Sequence, residues 1–409
     1  MTLPAVALLS VHTSPLAQPG IGDGGGMNVY LRALGSALAE AGVVCDVFTR
    51  AEHAESPPVV PVAPGLRVVH LRAGPVAPLP KEALPEHVDS LVSAFHDHCL
   101  EHEQAYDLLH GHYWISAVMG HRLKHDLDVP LAVTFHTLER VKAAVGLGDA
   151  GNGRALGEIE AVRCADLLVV STAEERDQLV TLYDAAPERV ELVAPGVDHG
   201  VFAPGDRARA RAELALDPGA PVLLFVGRIQ ALKAADVAIE ALAALDDSRA
   251  VLLVVGGPSG AEGDAELARL RRLTRGHGLD DRVRFVPPQV HERLATYYRA
   301  ADVCVVPSRS ESFGLVALEA AACGVPVVAA DVGGLREIVA DGRTGILVAG
   351  PDPASFAGAI RAVLDDPVTA GAMGGAAAAR SASFSWSAAA GRLRRLYGDL
   401  AVRAPVPCT

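Results

Sequence analysis

Val303-Cys304-Val305-Val306-Pro307-Ser308-Arg309-Ser310-Glu311-Ser312-Phe313-Gly314-Leu315-Val316-Ala317-Leu318-Glu319-Ala320 passes from an apolar run, through a short polar turn, into a segment of Ala, Leu and Val. The pattern predicts a buried strand, a turn and a helix, with Gly314 at the helix entry. The amides of Ser312 to Leu315 then become orphan donors at a helix N-terminus, a place suited to an anion. Glu311 stands at the mouth of that place. Glu319 lies about two helical turns further on, in a segment too apolar to carry a carboxylate casually. A capping acid followed by a surface acid on an ordinary helix would leave the same trace. The pair gains meaning from what surrounds it.

Outward from this unit, apolar strand-like runs alternate with amphipathic helical stretches along the whole chain. That is the pattern of a parallel sheet covered on both faces. The first half places strands near residues 6–11, 45–49, 66–71, 108–110, 131–135, 167–170 and 190–193. The second places them near 222–226, 251–255, 283–285, 303–306, 325–329 and 346–348. The fold class is therefore α/β, with two doubly wound halves and ligands expected at the carboxyl ends of the strands. At 409 residues, two domains are the default expectation. We place the first at 1–196 and the second at 205–385, with the Pro-Gly-rich stretch 195–206 between them. A last segment, 386–409, is expected to pack its helix back on the first domain.

A net charge of −13 argues against a non-specific nucleic-acid binder but leaves room for a locally positive cleft. The six cysteines are scattered without a CxxC spacing, so reduced thiols are expected, with neither a zinc site nor a disulfide framework. No apolar run approaches the length of a membrane span, and no basic leader precedes the first strand. A soluble, cytoplasmic protein is expected.

The candidate residues cluster at predicted strand ends. Gly22-Asp23-Gly24-Gly25-Gly26-Met27-Asn28 precedes a helix over 29–41, and such glycines let backbone N–H groups approach a diphosphate. A flexible loop would look the same, and the pattern is neither a P-loop nor a clean dinucleotide fingerprint. Lys81 sits in a Pro-rich loop where most lysines are merely solvated. His110-Gly111-His112-Tyr113-Trp114 and Thr134-Phe135-His136-Thr137 both follow strands, as does His12. In the second half, Gly227-Arg228-Ile229-Gln230-Ala231-Leu232-Lys233 brings two cations to a strand end, matching a diphosphate whose charge rises as its ester bond breaks. Val286-Pro287-Pro288-Gln289 could bring backbone groups to a planar base.

Gly227-Arg228…Lys233 together with Glu311 and Glu319 closely resembles the donor half of the retaining GT-B glycosyltransferases of family 4. His12-Thr13-Ser14-Pro15-Leu16, Gln18-Pro19-Gly20, Gly25-Gly26-Met27-Asn28-Val29-Tyr30, His112-Tyr113-Trp114 and His136-Thr137-Leu138 look like the D-inositol-3-phosphate glycosyltransferases of mycothiol biosynthesis. The resemblance covers nearly the whole chain. It implies a GT-B fold, two Rossmann-like domains facing across a cleft, and transfer of N-acetylglucosamine from UDP-GlcNAc to inositol phosphate with retention. It further implies that Arg228 and Lys233 hold the UDP diphosphate, Glu319 binds the ribose, Glu311 lies near the transferred sugar, and His136 helps to orient it. Gln18, Pro19, Gly26 and Gln289 complete the implied donor site. The implied acceptor contacts are His12, Asp23, Asn28, Lys81, Tyr113, Thr137 and Arg154.

No metal or other cofactor is expected for catalysis, since no DxD-type metal site is evident, and a homodimer is what the resemblance suggests. The sequence departs from the family's pattern at Val133-Thr134-Phe135, where a second His-Thr is usual, at Ala231 for a usual Pro, and in the stretch before Arg154. Rival readings keep the donor but change the acceptor to a sugar phosphate, as in sucrose-phosphate synthase, or to an aminocyclitol. Others make the chain a UDP-sugar epimerase or a non-catalytic UDP-sugar binder.

Overall fold

A computed structural model describes residues 4–20, 24–146, 148, 153–245, 247–260 and 262–408. The elements begin with β1 (Ala5–Leu9), α1 (Gly26–Glu40), β2 (Val44–Arg50), β3 (Val59–Ala63), β4 (Leu66–Leu71), α2 (Val88–Glu101), β5 (Leu108–His112) and α3 (Trp114–Leu127). They continue with β6 (Leu131–Thr134), α4 (Glu139–Ala144), α5 (Arg154–Cys164), β7 (Leu167–Val170), α6 (Ala173–Tyr183) and β8 (Val190–Leu192). Next come α7 (Arg207–Glu213), β9 (Val222–Val226), α8 (Ala235–Ala244), β10 (Val251–Val255), α9 (Gly263–Gly276), β11 (Val283–Val286), α10 (His291–Ala300) and β12 (Val303–Val306). The chain ends with α11 (Leu315–Ala322), β13 (Val327–Ala330), α12 (Leu335–Ile338), β14 (Gly345–Val348), α13 (Pro353–Leu364), α14 (Pro367–Ser381) and α15 (Trp386–Leu400).

Two compact units result. One comprises Met1–Ala17, Met27–Pro195 and Trp386–Thr409, the other Gln18–Gly26 and Gly196–Ser385. The first carries an eight-stranded sheet in the order β3-β4-β2-β1-β5-β6-β7-β8, and the second a six-stranded sheet in the order β11-β10-β9-β12-β13-β14. Every pairing is parallel except β3 with β4. Each sheet has one place where the strand order reverses, between β1 and β5 and between β9 and β12. Open α/β sheets bind ligands outside the carboxyl ends of the strands at such a place.

The cores follow from strand alternation. Ala7 and Leu9 of β1 enter one core with Phe48, Leu109 and Val133, whereas Val6 and Leu8 face another with Leu31, Leu34, Leu393 and Tyr397. Helix α15 thus covers one face of the first sheet through Ala390, Leu393 and Tyr397. In the second unit, Leu223, Phe225, Leu252, Val254, Val303 and Val305 line the core against α8 and α13. Helices α13 and α14 start with Pro just inside an Asp cap, which satisfies first-turn amides that Pro itself does not need.

Two expectations need correction. Strand β3 was absent from the sequence reading. It is a half-exposed edge strand containing Pro61, whose missing N–H suits an edge but masks the strand pattern. The expectation of unpaired thiols without any disulfide also fails. Cys164, at the end of α5, is joined in a disulfide to Cys408, which lies 244 residues away. Spacing along the chain could not reveal that pair. Beside it, Asp166 Oδ1 accepts from the Val406 amide at 2.5 Å, which holds the tail against the residues after α5. Cys45, Cys99, Cys304 and Cys323 are free. Among the described residues, no helix is long and apolar enough to cross a membrane.

Candidate functional site

In the second unit, the candidate residues gather at the strand-order reversal. Arg228 leaves the end of β9, and its Nη1 donates to Ser259 Oγ at 3.3 Å. A Cβ added at Gly25 would stand 3.0 Å from Nε of this guanidinium, so a side chain there would press on Arg228. Lys233 closes a 3₁₀ turn, Ala231–Lys233, and Ala234 after it takes a left-handed φ of 53° to start α8. Its Nζ donates to Glu311 Oε2 at 2.6 Å, and Ser308 Oγ donates to the same oxygen at 3.2 Å. Glu311 itself is fixed through its carbonyl, which accepts from Gly334 N at 2.9 Å. Gly333 beside it has φ of 50°, and any Cβ there would collide with the Glu311 carbonyl oxygen at 1.9 Å.

Gly314, at φ of 98°, caps α11 as the sequence suggests. Glu319 lies inside that helix and is buried, and its Oε2 accepts from Tyr298 OH at 2.7 Å. Burial pushes the Glu319 carboxyl up to about 7, and the Tyr298 hydrogen bond offsets only part of that rise. A carboxyl whose folded pKa exceeds its unfolded value contributes fully below about pH 4.5, and that contribution is lost as pH rises through about 7. We expect Glu319→Gln to remove this loss, so that the gap in melting temperature between variant and wild type widens in the variant's favour from pH 5 to about pH 8. Parallel melting curves across that range check it.

The remaining donor candidates are close to one another. Gln18 Nε2 donates to Pro288 O at 3.5 Å, and the Gln289 side chain turns back on Pro287 O at 2.8 Å. Pro19 is half-buried, and the next residue, Gly20, rests on Pro288. Gly26 is exposed at the first position of α1, 3.6 Å from Leu315 when measured from an added Cβ.

In the first unit, the polar residues gather at the β1/β5 reversal. Tyr113, immediately after β5, has φ of 74°, and His136, after β6, has φ of 62°. Non-glycine residues in the left-handed region at two neighbouring strand ends are costly, and such outliers gather at functional sites. His12 packs its ring on Tyr113 with centroids 4.2 Å apart. Asn28 donates to Thr13 Oγ1 at 2.8 Å and to Ser14 O at 2.6 Å, pinning the loop after β1. Arg154, at the start of α5, reaches Tyr113 OH at 3.2 Å, Thr137 O at 2.8 Å and Thr137 Oγ1 at 3.1 Å. It also pairs with Glu158 at 2.8 Å and Glu139 at 3.6 Å. Burial works against its charge, but Tyr113, Glu158 and Glu139 outweigh that and raise its pKa.

His136 Nε2 lies 3.1 Å from His112 Nδ1, and burial lowers His136 to about 3, so its ring stays neutral. His110 is likewise lowered to about 3 by burial, between Tyr397 OH at 2.6 Å and Thr134 Oγ1 at 2.9 Å.

Tyr113, Thr137 and Arg154 are thus brought together, with His12 against them. Lys81 is not joined to them by any contact among the described residues. It opens a 3₁₀ turn and pairs with its neighbour Glu82 at 3.7 Å. Asp23 lies outside the described residues. The sequence reading missed Glu158, Glu139, Ser259 and Tyr298. The spacing of Arg154 and Glu158 was a visible signal for one of them, since residues four apart share a helix face.

Two doubly wound units, each with its polar residues at a strand-order reversal, have the architecture of a GT-B glycosyltransferase. Residues 25–196 match the glycosyl transferase 4-like domain, and residues 206–380 match the glycosyl transferases group 1 model. The chain is 50% identical over 402 residues to D-inositol 3-phosphate glycosyltransferase 2 of Catenulispora acidiphila, covering 96% of this chain and 94% of the relative. A sucrose-phosphate synthase from Thermosynechococcus elongatus superposes with a TM-score of 0.91 at 37% identity, over 97% of this chain and 99% of the other. HepE of Anabaena, solved in complex with UDP-glucose, shares the fold at 20% identity with a TM-score of 0.77, over 97% of this chain and 100% of the other. The chain belongs to the D-inositol 3-phosphate glycosyltransferase family of GT-B glycosyltransferases, family 4.

Proposed function

We propose that this glycosyltransferase moves N-acetylglucosamine from UDP-GlcNAc to the hydroxyl of a phosphorylated cyclitol, 1D-myo-inositol 3-phosphate, with retention at the anomeric carbon. The observation that carries the reading is the Lys233–Glu311 ion pair beside Arg228 at the reversal of the second sheet. An incoming diphosphate competes with Glu311 for Lys233 and takes the Arg228 fork bidentately. The bond from the anomeric carbon to the β-phosphate oxygen breaks, and the acceptor oxygen bonds to that carbon on the same face. The departing phosphate oxygen takes the acceptor's proton. The two cations stabilise the charge that develops on the diphosphate, and no covalent enzyme intermediate is needed.

In this reading Glu319 receives the ribose hydroxyls, and Gln18, Pro19, Gly26 and Gln289 bound the nucleotide. His136, kept neutral, orients the sugar. His12, Asn28, Tyr113, Thr137 and Arg154 form the acceptor group, with Asp23 and Lys81 assigned to it by motif. The names of relatives such as the one from Catenulispora acidiphila support the acceptor. A second reading, with a sugar phosphate as acceptor, is favoured by the likeness to sucrose-phosphate synthase.

Mass spectrometry of products from UDP-GlcNAc and UDP-glucose, each offered to inositol 3-phosphate, inositol 1-phosphate, fructose 6-phosphate and free inositol, separates the two. We expect a GlcNAc-inositol phosphate as the dominant product. A sucrose phosphate would establish the second reading, and equal turnover of free inositol would remove the phosphate-recognising pocket.

A further inference from the structure

Four side chains of metal-ligating type, outside the transfer chemistry, converge at one end of the first unit. His121 and His125, four residues apart on α3, share a helix face. Their Nε2 atoms are 3.1 Å apart, and Cys408 Sγ lies 3.1 Å from His125 Nε2 and 3.5 Å from His121 Nε2. With Cys164 Sγ, all four donor atoms fall within 4.8 Å of one another. A disulfide uses only the two sulfurs and gives no reason for two imidazoles to turn their Nε2 atoms into the same spot.

A further contact sets the tautomer. His121 Nδ1 is 3.1 Å from Glu160 Oε1, so the Nδ1–H is held by a carboxylate and the Nε2 lone pair is left aimed at the cluster. A carboxylate behind a ligating imidazole is the usual support for a zinc-bound histidine. The surroundings are already organised. Asp166 accepts from the Leu131 amide at 2.7 Å, from the Val406 amide at 2.5 Å and from Lys124 Nζ at 2.8 Å, and Lys124 also donates to Cys164 O at 2.7 Å.

We propose that the chain in its thiol form holds a structural zinc ion through His121 Nε2, His125 Nε2, Cys164 Sγ and Cys408 Sγ. As synthesised, both cysteines are thiols, and zinc displaces one proton from each, so two thiolates balance the charge of the ion. Zinc–nitrogen bonds near about 2.05 Å and zinc–sulfur bonds near about 2.3 Å need donor separations of roughly 3.4–3.8 Å, so the two sulfurs part from their disulfide and the imidazole nitrogens, 3.1 Å apart, open slightly to admit the ion. Four protein ligands close the coordination shell, so the ion is structural. It clamps the C-terminal tail to the last turns of α3 and α5. The first turns of those helices hold Arg154 and follow Tyr113, and the helices pack tightly, since a Cβ at Gly157 would lie 3.1 Å from Val118.

The test is metal analysis of the full chain purified under reducing conditions, together with cobalt substitution. We expect about one zinc per chain, and in the cobalt form a near-ultraviolet thiolate charge-transfer band with intense visible bands of tetrahedral cobalt. Cys408→Ser and the double variant His121→Ala/His125→Ala, both away from the transfer residues, should each lose the metal and the bands. The proposal is overturned if wild type retains less than about a tenth of an equivalent and peptide mapping finds Cys164 and Cys408 joined. It is equally overturned if the variants keep the metal.

Discussion

Replacing Lys233 with Ala should lower kcat/KM for the UDP-sugar by about 10²–10³, the typical cost of one preorganised contact to developing charge. Arg228→Ala should act with similar size. The physical reason is differential. In the ground state the diphosphate shares its charge with the sugar ester bond, whereas in the transition state that charge grows on the oxygens facing the two cations. Glu311 at 2.6 Å holds the Lys233 ammonium beside the site, and in this reading the ammonium passes to the diphosphate on binding, so it is already in place when the bond breaks. Arg228 is steadied by its hydrogen bond to Ser259 Oγ.

Lys233→Ala should lower the melting temperature only modestly, because the Lys233 and Glu311 side chains keep 21% and 16% exposure and Ser308 Oγ still donates to the Glu311 carboxylate. Steady-state kinetics beside thermal melts check both halves. A variant that loses stability in proportion to activity would point to a structural role instead.

The second large effect concerns stability. Arg154 and Glu158 are both fully buried, and the Glu158 carboxylate also accepts from the Glu139 amide and from Tyr183 OH. Arg154→Ala removes the positive partner and leaves the Glu158 charge where water cannot reach it. Breaking a buried pair in this way costs roughly 3–5 kcal/mol, a large share of the stability of a domain. We expect the variant to show a lowered melting transition or poor solubility.

The double variant Arg154→Leu/Glu158→Gln keeps an acceptor for the Glu139 amide and Tyr183 while removing both charges, so it should recover much of the loss. That variant also separates two roles. If Arg154 recognises the acceptor phosphate, the refolded double variant keeps donor affinity but shows a raised KM for the phosphorylated acceptor. If Arg154 only braces the fold, that KM stays at the wild-type value. Denaturant unfolding together with acceptor titration gives both answers.

The alternation of apolar runs and helical stretches located the strands of both sheets, apart from β3, because parallel strands buried on both faces are written as continuous apolar segments. Strand β3 escaped because an edge strand needs no such run and tolerates Pro61. Arg228, Lys233 and Glu311 were legible because each follows a strand end, and strand ends at a reversal are where polar side chains can meet. Their mutual contact was not, since Lys233 and Glu311 lie on different crossovers.

The Arg154 cage shows the opposite limit. A basic residue in a loop-to-helix segment looks available for a ligand, and only packing reveals that Glu139 and Glu158 surround it. The burial of Glu319 is legible from its apolar setting, whereas Tyr298, its partner on α10, has no signal of its own. The tail was least legible. Cys164 and Cys408 are separated by most of the chain, and nothing in their local sequence announces that they meet.

The most direct test of the central claim is a crystal structure of the chain with UDP. The account predicts the diphosphate oxygens within about 2.7–3.2 Å of both the Arg228 guanidinium and the Lys233 ammonium, with Lys233 drawn off Glu311 and the ribose on Glu319. A nucleotide bound elsewhere, or a diphosphate that touches neither cation while Lys233 remains paired with Glu311, would contradict it.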